Sequence, residues 1–175
     1  PLSQTPLMIE KNLRKSFIIS SLLVFSIFLL DRLSKIYVIY LDKKFLGSEL
    51  LSSKFLNIRL IWNEGIAFGL LSFNETIFYN ALTFLILIII LIIFFMLSKS
   101  NGIKKFSLMM ILGGAIGNVY DRIFYGAVPD FIDFHIGNFH WFIFNVADIF
   151  ITLGVIFMII IEITGNNKNK KYEIL

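Results

Sequence analysis

Asp121, Arg122, Asp130 and Asp133 fall within 13 residues of the stretch NVYDRIFYGAVPDFIDF, which follows the uncharged run FSLMMILGGAIG. The motif FNVAD then adds Asn145 and Asp148, and DRLSK, far upstream, contributes Asp31 and Lys35. Carboxylates brought together in a partly desolvated place interact strongly, so that one keeps its proton while the other is ionised. Such a pair can take a proton from water and return one to a leaving amine. A nucleophilic triad is a poorer reading. The chain has no cysteine, and its two histidines, His135 and His140, have no evident serine partner.

Each of these residues also has a plainer explanation. Asp31 and Lys35 are four apart and can form an ion pair on one helix face. Asn118, Asp121 and Arg122 follow at helical spacings, so they share a face. Asn145 suits a helix cap, with Asp148 as the third helical residue near the positive end of the dipole. Asp130 follows Pro129, which lacks an N–H and stops a continuing helix. Its apolar neighbours Val128, Phe131 and Ile132 nevertheless place it in a segment dipping into an interface rather than in a solvated turn. On these grounds alone, Asp121 and Asp130 stand as equal candidates for the reactive carboxylate.

The composition says what must hold these groups. Of 175 residues 57% are hydrophobic and only 16% charged, which is membrane composition. The net charge of +4 is modest, and no basic run is interleaved with aromatics, so a nucleic-acid partner is excluded. The lack of cysteine rules out disulfides and thiolate chemistry. His135 and His140 read as loop or interfacial histidines, and no metal or cofactor is expected. The opening PLSQTP reads as a non-native remnant, residues 1–7, with Met8 as the natural start.

Apolar segments place membrane spans at about residues 17–40, 77–97, 103–124 and 144–164. The second has 21 residues and no charge, about 30 Å of helix and enough for a hydrocarbon core. Lys11, Arg14 and Lys15 precede the first span. Lys99, Lys104 and Lys105 lie between the second and third, and Lys168, Lys170 and Lys171 follow the fourth. Four spans put all three groups on one side, and the positive-inside rule makes that side cytoplasmic. Asp31, Lys35, Asn118 to Arg122 and Asn145 to Asp148 then gather at the outer interface. Ionisable groups at such depth are costly, which points to function.

The outer loop, residues 41–76, is too long for a connector. KFLNIRLIW alternates and is rich in aromatic and β-branched types, so residues 54–62 read as a strand, paired with part of residues 43–51. Gly65 and Gly69 in NEGIAFG suit tight turns or close approach. Gly113-xxx-Gly117 lets helices approach closely. The expected fold is an all-α membrane protein of four transmembrane helices, with a small extracytoplasmic β-cradle between helices 1 and 2, spanning about residues 43–62. A small proton-coupled transporter is the alternative function. It would want ionisable groups near the bilayer midplane, where the second and fourth spans are purely apolar.

Five motifs, DRLSK, NEGIAFG, GGAIGNVYDR, VPDF and FNVAD, occur in the order and spacing of the lipoprotein signal peptidases, or signal peptidase II family. The chain resembles that family from Met8 to the tail. The resemblance implies a bacterial inner-membrane aspartyl endopeptidase, without cofactor or metal, that cuts diacylglyceryl-modified prolipoproteins just before the lipidated cysteine. It implies Asp130 and Asp148 as the catalytic pair and Asn63, Asn118, Arg122 and Asn145 as substrate-binding residues. Asp31, Lys35 and Asp121 are implied as structural support, and Gly65, Gly114 and Gly117 as close-packing positions. Cyclic peptide inhibitors of the globomycin type are expected to bind the site, membrane lipid to surround it, and a mobile outer segment to cover it. Pro129 departs from the valine expected before the catalytic aspartate.

Overall fold

The computed structural model describes residues 6–65 and 75–172. Four helices and two pairs of strands follow one another in the order α1 (Pro6–Lys44), β1 (Leu51–Ser52), β2 (Leu56–Asn63), α2 (Glu75–Ser98), α3 (Gly102–Tyr125), β3 (Val128–Ile136), β4 (Phe139–Phe144) and α4 (Val146–Tyr172). Gly69 lies outside the described residues, as do residues 1–5. Among the described residues three helical stretches are long and apolar enough to cross a membrane, Arg14–Lys44, Tyr79–Ser98 and Val146–Gly165.

α3 differs because it is the inner helix, packed against α1, α2 and α4. Its buried face carries Leu108, Leu112, Gly113, Gly114, Ala115 and Gly117 and ends in Asn118 and Asp121. The outer helices instead turn large apolar side chains outward, among them Phe25, Leu30, Leu91, Phe95 and Ile160. Meanwhile Asp31, Lys35 and Asp121 are fully buried. That distribution is the reverse of a water-soluble domain and is what a lipid solvent selects. A small apolar core of Ile93, Leu108 and Leu112, flanked by Val24, Ile111 and Met158, joins the four helices away from the polar end.

The glycines of α3 set the helix spacing. A Cβ on Gly117 would come 2.5 Å from Asp31 Oδ2, and one on Gly114 would come 2.5 Å from the Ala147 carbonyl oxygen. Gly113 would meet Ile27 at 2.8 Å. Small residues are therefore required on both sides of α3, toward α1 and toward α4. α3 ends at Gly126, whose φ of 70° is the left-handed conformation that glycine adopts without penalty.

The sheet is antiparallel throughout, in the order β1-β2-β3-β4. The strand expected at residues 54–62 is present as β2, but its neighbour on that side is the two-residue β1, with Leu51 opposite Ile58. Residues 43 and 44 belong to α1. The cradle is also not confined to the connection between the first two helices. Its other half, β3 and β4, comes from the connection between α3 and α4, where sequence reading placed a loop. Val128, Pro129, Asp130 and Phe131 are all buried, so β3 shows no alternation at its start. A strand covered on both faces lacks the period of two by which strands are recognised. Pro129 sits near the opening end of β3, a position where a sheet tolerates proline. The Trp62 ring packs edge-on against Tyr125 at 5.7 Å, tying β2 to the end of α3.

Gly114→Ala should lower the melting temperature in detergent and reduce activity, because the new methyl meets a backbone oxygen that cannot swing aside. The expected cost is about 1–3 kcal/mol. Gly165→Ala, where a Cβ meets nothing within 4 Å, is the control and should be neutral or slightly stabilising. Equal melting of both variants would remove the close-approach explanation.

Candidate active site

The polar end of the helices is organised around Lys35. Its ammonium donates to Asp31 Oδ2 at 3.0 Å, Asn118 Oδ1 at 2.9 Å and Asp121 Oδ2 at 2.6 Å. All three N–H donors are thereby used. Arg32 completes the cluster. It donates to Asp31 Oδ2 at 3.1 Å and forms a close ion pair with Asp121 Oδ1 at 2.5 Å, without the alignment of a hydrogen bond. Its guanidinium also lies 4.8 Å from the centre of the Tyr120 ring. Two carboxylates thus face two cations. Asp31 Oδ1 in addition accepts the Ala147 backbone N–H at 3.0 Å, which fastens the first turn of α4 to α1.

Asp148 lies in that first turn. Asn145 Oδ1 accepts the Asp148 N–H at 3.1 Å, and Asp148 Oδ2 accepts the Asn145 N–H at 3.2 Å. This is a reciprocal capping box, here with Asn and Asp in its two places. Asp148 Oδ1 accepts from the Asn118 amide at 2.8 Å. Because Lys35 holds the Asn118 oxygen, the amide can present only its NH₂ to Asp148.

Asp130 arrives from the sheet. It lies opposite Ile61, which places Asn63, two residues on, along the same strand face. Asn63 donates to Asp130 Oδ2 at 2.9 Å, and Asn145 donates to Oδ1 at 2.6 Å. Asn145 is therefore the joint between the carboxylates, bonded to that of Asp130 through its side-chain NH₂ and to that of Asp148 through its backbone N–H. Asp130 is 4% exposed. Burial pushes its carboxyl up to about 6, against the opposing effect of the Asn63 and Asn145 hydrogen bonds, and the nearby Asp148 charge raises it further.

Asp130 and Asp148 line one cleft of about 360 Å³ together with Asn63, Asn118, Arg122 and Asn145. Leu82, Ile86, Val128, Phe142, Phe144 and Thr152 supply the rest of the wall. Arg122 donates to the Asn118 carbonyl at 3.3 Å and approaches the Gly65 carbonyl at 3.5 Å, while its Nε has no partner among the described residues. Gly65 in turn gives its N–H to Asn63 Oδ1 at 3.0 Å.

The residues selected from sequence thus separate into two groups. Asn63, Asn118, Arg122, Asp130, Asn145 and Asp148 share the cleft. Asp31, Lys35 and Asp121 stand behind it, joined to it through Asn118 and Ala147. Asp121, indistinguishable from Asp130 by local sequence, is clamped by Arg32 and Lys35 and does not line the cleft. The three asparagines expected to hold substrate each spend an NH₂ on a carboxylate in this arrangement. Sequence reading missed Arg32, whose signal was a second charge beside Asp31 in an apolar helix. It also missed the apolar wall from α2 and β4, which carries no motif. His135 and His140, read as loop residues, are opposite one another on β3 and β4.

The arrangement defines a helical membrane protein with a paired-carboxylate cleft capped by a small sheet. The chain is similar to known proteins in sequence and in fold. The family model described as signal peptidase (SPase) II matches residues 23–164. The lipoprotein signal peptidase of Pelagibacter ubique (strain HTCC1062) is 47% identical over 154 residues, covering 88% of this chain and 93% of that protein. That of Francisella tularensis subsp. mediasiatica is 39% identical over 140 residues, covering 77% and 87%. A solved bacterial membrane enzyme, crystallised in meso, superposes with a TM-score of 0.65 at 29% identity, covering 85% of this chain and 90% of its own. The chain belongs to the signal peptidase II family, and it is a membrane peptidase.

The raised Asp130 carboxyl makes a prediction about stability. Its folded value, about 6, lies above the ordinary carboxylate value of 3.8, so the folded state binds the proton more tightly. Its stabilising contribution is complete below 3.8 and is lost as pH rises through 6. A difference of this size corresponds to about 3 kcal/mol. Asp130→Asn should therefore gain melting temperature relative to the unaltered chain as pH rises from 4 to 7. A pH-independent difference between the two melting curves would contradict this account.

Proposed function

We propose that the chain removes signal peptides from prolipoproteins by water attack between Asp130 and Asp148, cutting just before a diacylglyceryl-modified cysteine. One observation carries the mechanism: two carboxylates from different elements line one cleft, each fastened by neutral amides. One carboxylate takes a proton from water as the oxygen attacks the scissile carbonyl carbon. The other gives its proton to the carbonyl oxygen. Collapse of the tetrahedral intermediate returns a proton to the leaving nitrogen and breaks the C–N bond. Arg122, with a spare donor at the cleft, is suited to a peptide carbonyl of the substrate. A cyclic peptide inhibitor of the globomycin type would occupy the same cleft.

We place α3 across the membrane with the other three helices, although Lys104, Lys105, Asp121 and Arg122 interrupt it. Its charges are at its ends, and the residues between them are apolar or small. Four spans put both termini in the cytoplasm of a bacterial cell and the cleft at the outer face of the inner membrane. The acyl chains of the substrate would then remain in lipid, where each buried methylene contributes about 0.8 kcal/mol. A reporter fused after Lys171 should be active only in a cytoplasm-requiring form. Activity of the fusion only outside the cell would reverse the topology.

Single-turnover cleavage of a lipid-modified precursor by purified variants tests the mechanism. Asp130→Asn and Asp148→Asn should each be folded and inactive. Asp121→Asn should lose stability, since it leaves two buried cations, Arg32 and Lys35, sharing the single Asp31 carboxylate, yet retain some turnover. An unlipidated precursor should be cut poorly by the unaltered enzyme. Clear turnover by Asp130→Asn beside a folded, inactive Asp121→Asn would assign the wrong aspartate.

A further inference from the structure

A second cluster of chemistry-bearing side chains lies on the β3–β4 hairpin. One ligand atom from each of Asp133, His135 and His140 falls within 4.8 Å of the others. Strand alternation explains the grouping. Asp133 and His135 are two apart on β3 and share a face, opposite to the face carrying Asp130. His140 is the direct cross-strand neighbour of His135, and the two rings stack with centroids 5.1 Å apart. None of the three lines the carboxylate cleft.

Two features distinguish this cluster from a simple ion pair. Asp133 is fully buried, and both its oxygens lie 2.9 Å from His140 Nδ1, so two carboxylate oxygens converge on one ring nitrogen. His135 is 92% buried by its 8% exposure, yet its Nδ1 has no hydrogen-bond partner among the described residues. A buried ring nitrogen left unpaired is costly, and such an exception calls for a ligand. Two imidazoles and a carboxylate make the donor set of a zinc-class divalent metal.

We propose that Asp133, His135 and His140 form a zinc-class metal site that pins β4 to β3, separate from the carboxylate pair. Metal–ligand bonds of about 2.0–2.2 Å require the three ligand atoms to draw closer than they are here. The His140 side chain is 44% exposed and free to rotate inward. Arg59, whose Nε lies 3.0 Å from Asp133 Oδ2, competes for the same oxygen and must swing away. Its side chain is 37% exposed, so water is available to it. Water is then the natural fourth ligand.

The test uses full-length protein in detergent, purified without a polyhistidine tag and equilibrated with micromolar zinc sulfate. Retained zinc is measured by elemental analysis after dialysis, and melting is followed with and without zinc. The unaltered chain should retain about one zinc per chain and melt higher with it. His135→Ala and His140→Ala should each weaken retention at least about tenfold. His140→Gln keeps a donor for Asp133, so it should fold normally and still fail to retain zinc. Arg59→Gln should strengthen retention. Zinc binding that survives all three histidine substitutions, or no stoichiometric zinc on the unaltered chain and Arg59→Gln, overturns the site and leaves the Asp133–His140 contact as a brace for the hairpin.

Discussion

A lysine with no exposure to solvent decides how the rest of this protein is arranged. Lys35 sits among apolar helices, where an unpaired ammonium would be prohibitively expensive. Its three donors demand three acceptors, and the chain supplies them from α1 and α3 as Asp31, Asn118 and Asp121. Two carboxylates beside one cation would leave a net negative charge, which Arg32 removes. The neutral cluster that results fixes the rotation of α1 relative to α3. It also fixes the depth of both, since sliding either helix by one turn would leave a buried charge without its partner.

The cluster carries this order outward to the cleft. Through the Asn118 oxygen it selects which face of that amide looks toward Asp148. Through Asp31 Oδ1 and the Ala147 N–H it anchors the start of α4, the turn in which Asp148 lies. Both contacts need close helix approach, and Gly114 and Gly117 provide the room. A methyl at either position would intrude on one of the atoms that transmit the order, the Ala147 carbonyl or the Asp31 carboxylate. Gly117, Asp31 and Lys35 therefore form one device for holding an asparagine still.

How much of this was legible in the sequence depends on the range of the interaction. Asp31 and Lys35 are four apart, and the Asn145–Asp148 cap is three apart, so local spacing exposes both. Apolar runs of about 20 residues likewise mark the outer helices without reference to anything distant. β3 was hidden, because burial of successive residues erases alternation and its pairing partners lie on either side of it in sequence. The difference between Asp121 and Asp130 was hidden for a similar reason. It depends on Arg32 and Lys35 in one case and on Asn63 and Asn145 in the other, and most of these are remote in the chain. The motif resemblance separated them where local physics did not. The apolar cleft wall had no signal, since Leu82, Ile86 and Phe142 are ordinary membrane residues until the fold turns them inward.

Two pairs of carboxylates lie at the same end of this molecule, and they are satisfied in different ways. Asp31 and Asp121 meet ammonium and guanidinium groups, and their oxygens are crowded with cationic donors. Among the described residues, Asp130 and Asp148 accept hydrogen bonds only from amides and backbone N–H groups. An amide donor orients a carboxylate but adds no charge to balance it, so burial is left uncompensated and the Asp130 carboxyl is pushed up to about 6. Each amide also occupies only one lone pair of the oxygen it contacts, which leaves that oxygen able to accept a second hydrogen bond. Cations in the place of Asn63 and Asn145 would hold the same carboxylates as firmly, but would favour the charged form and remove the proton that the proposed hydrolysis would move. The choice of asparagine over lysine or arginine around Asp130 and Asp148 thus orients the two cleft carboxylates without neutralising them, whereas the cluster behind the cleft is neutralised by its own cations.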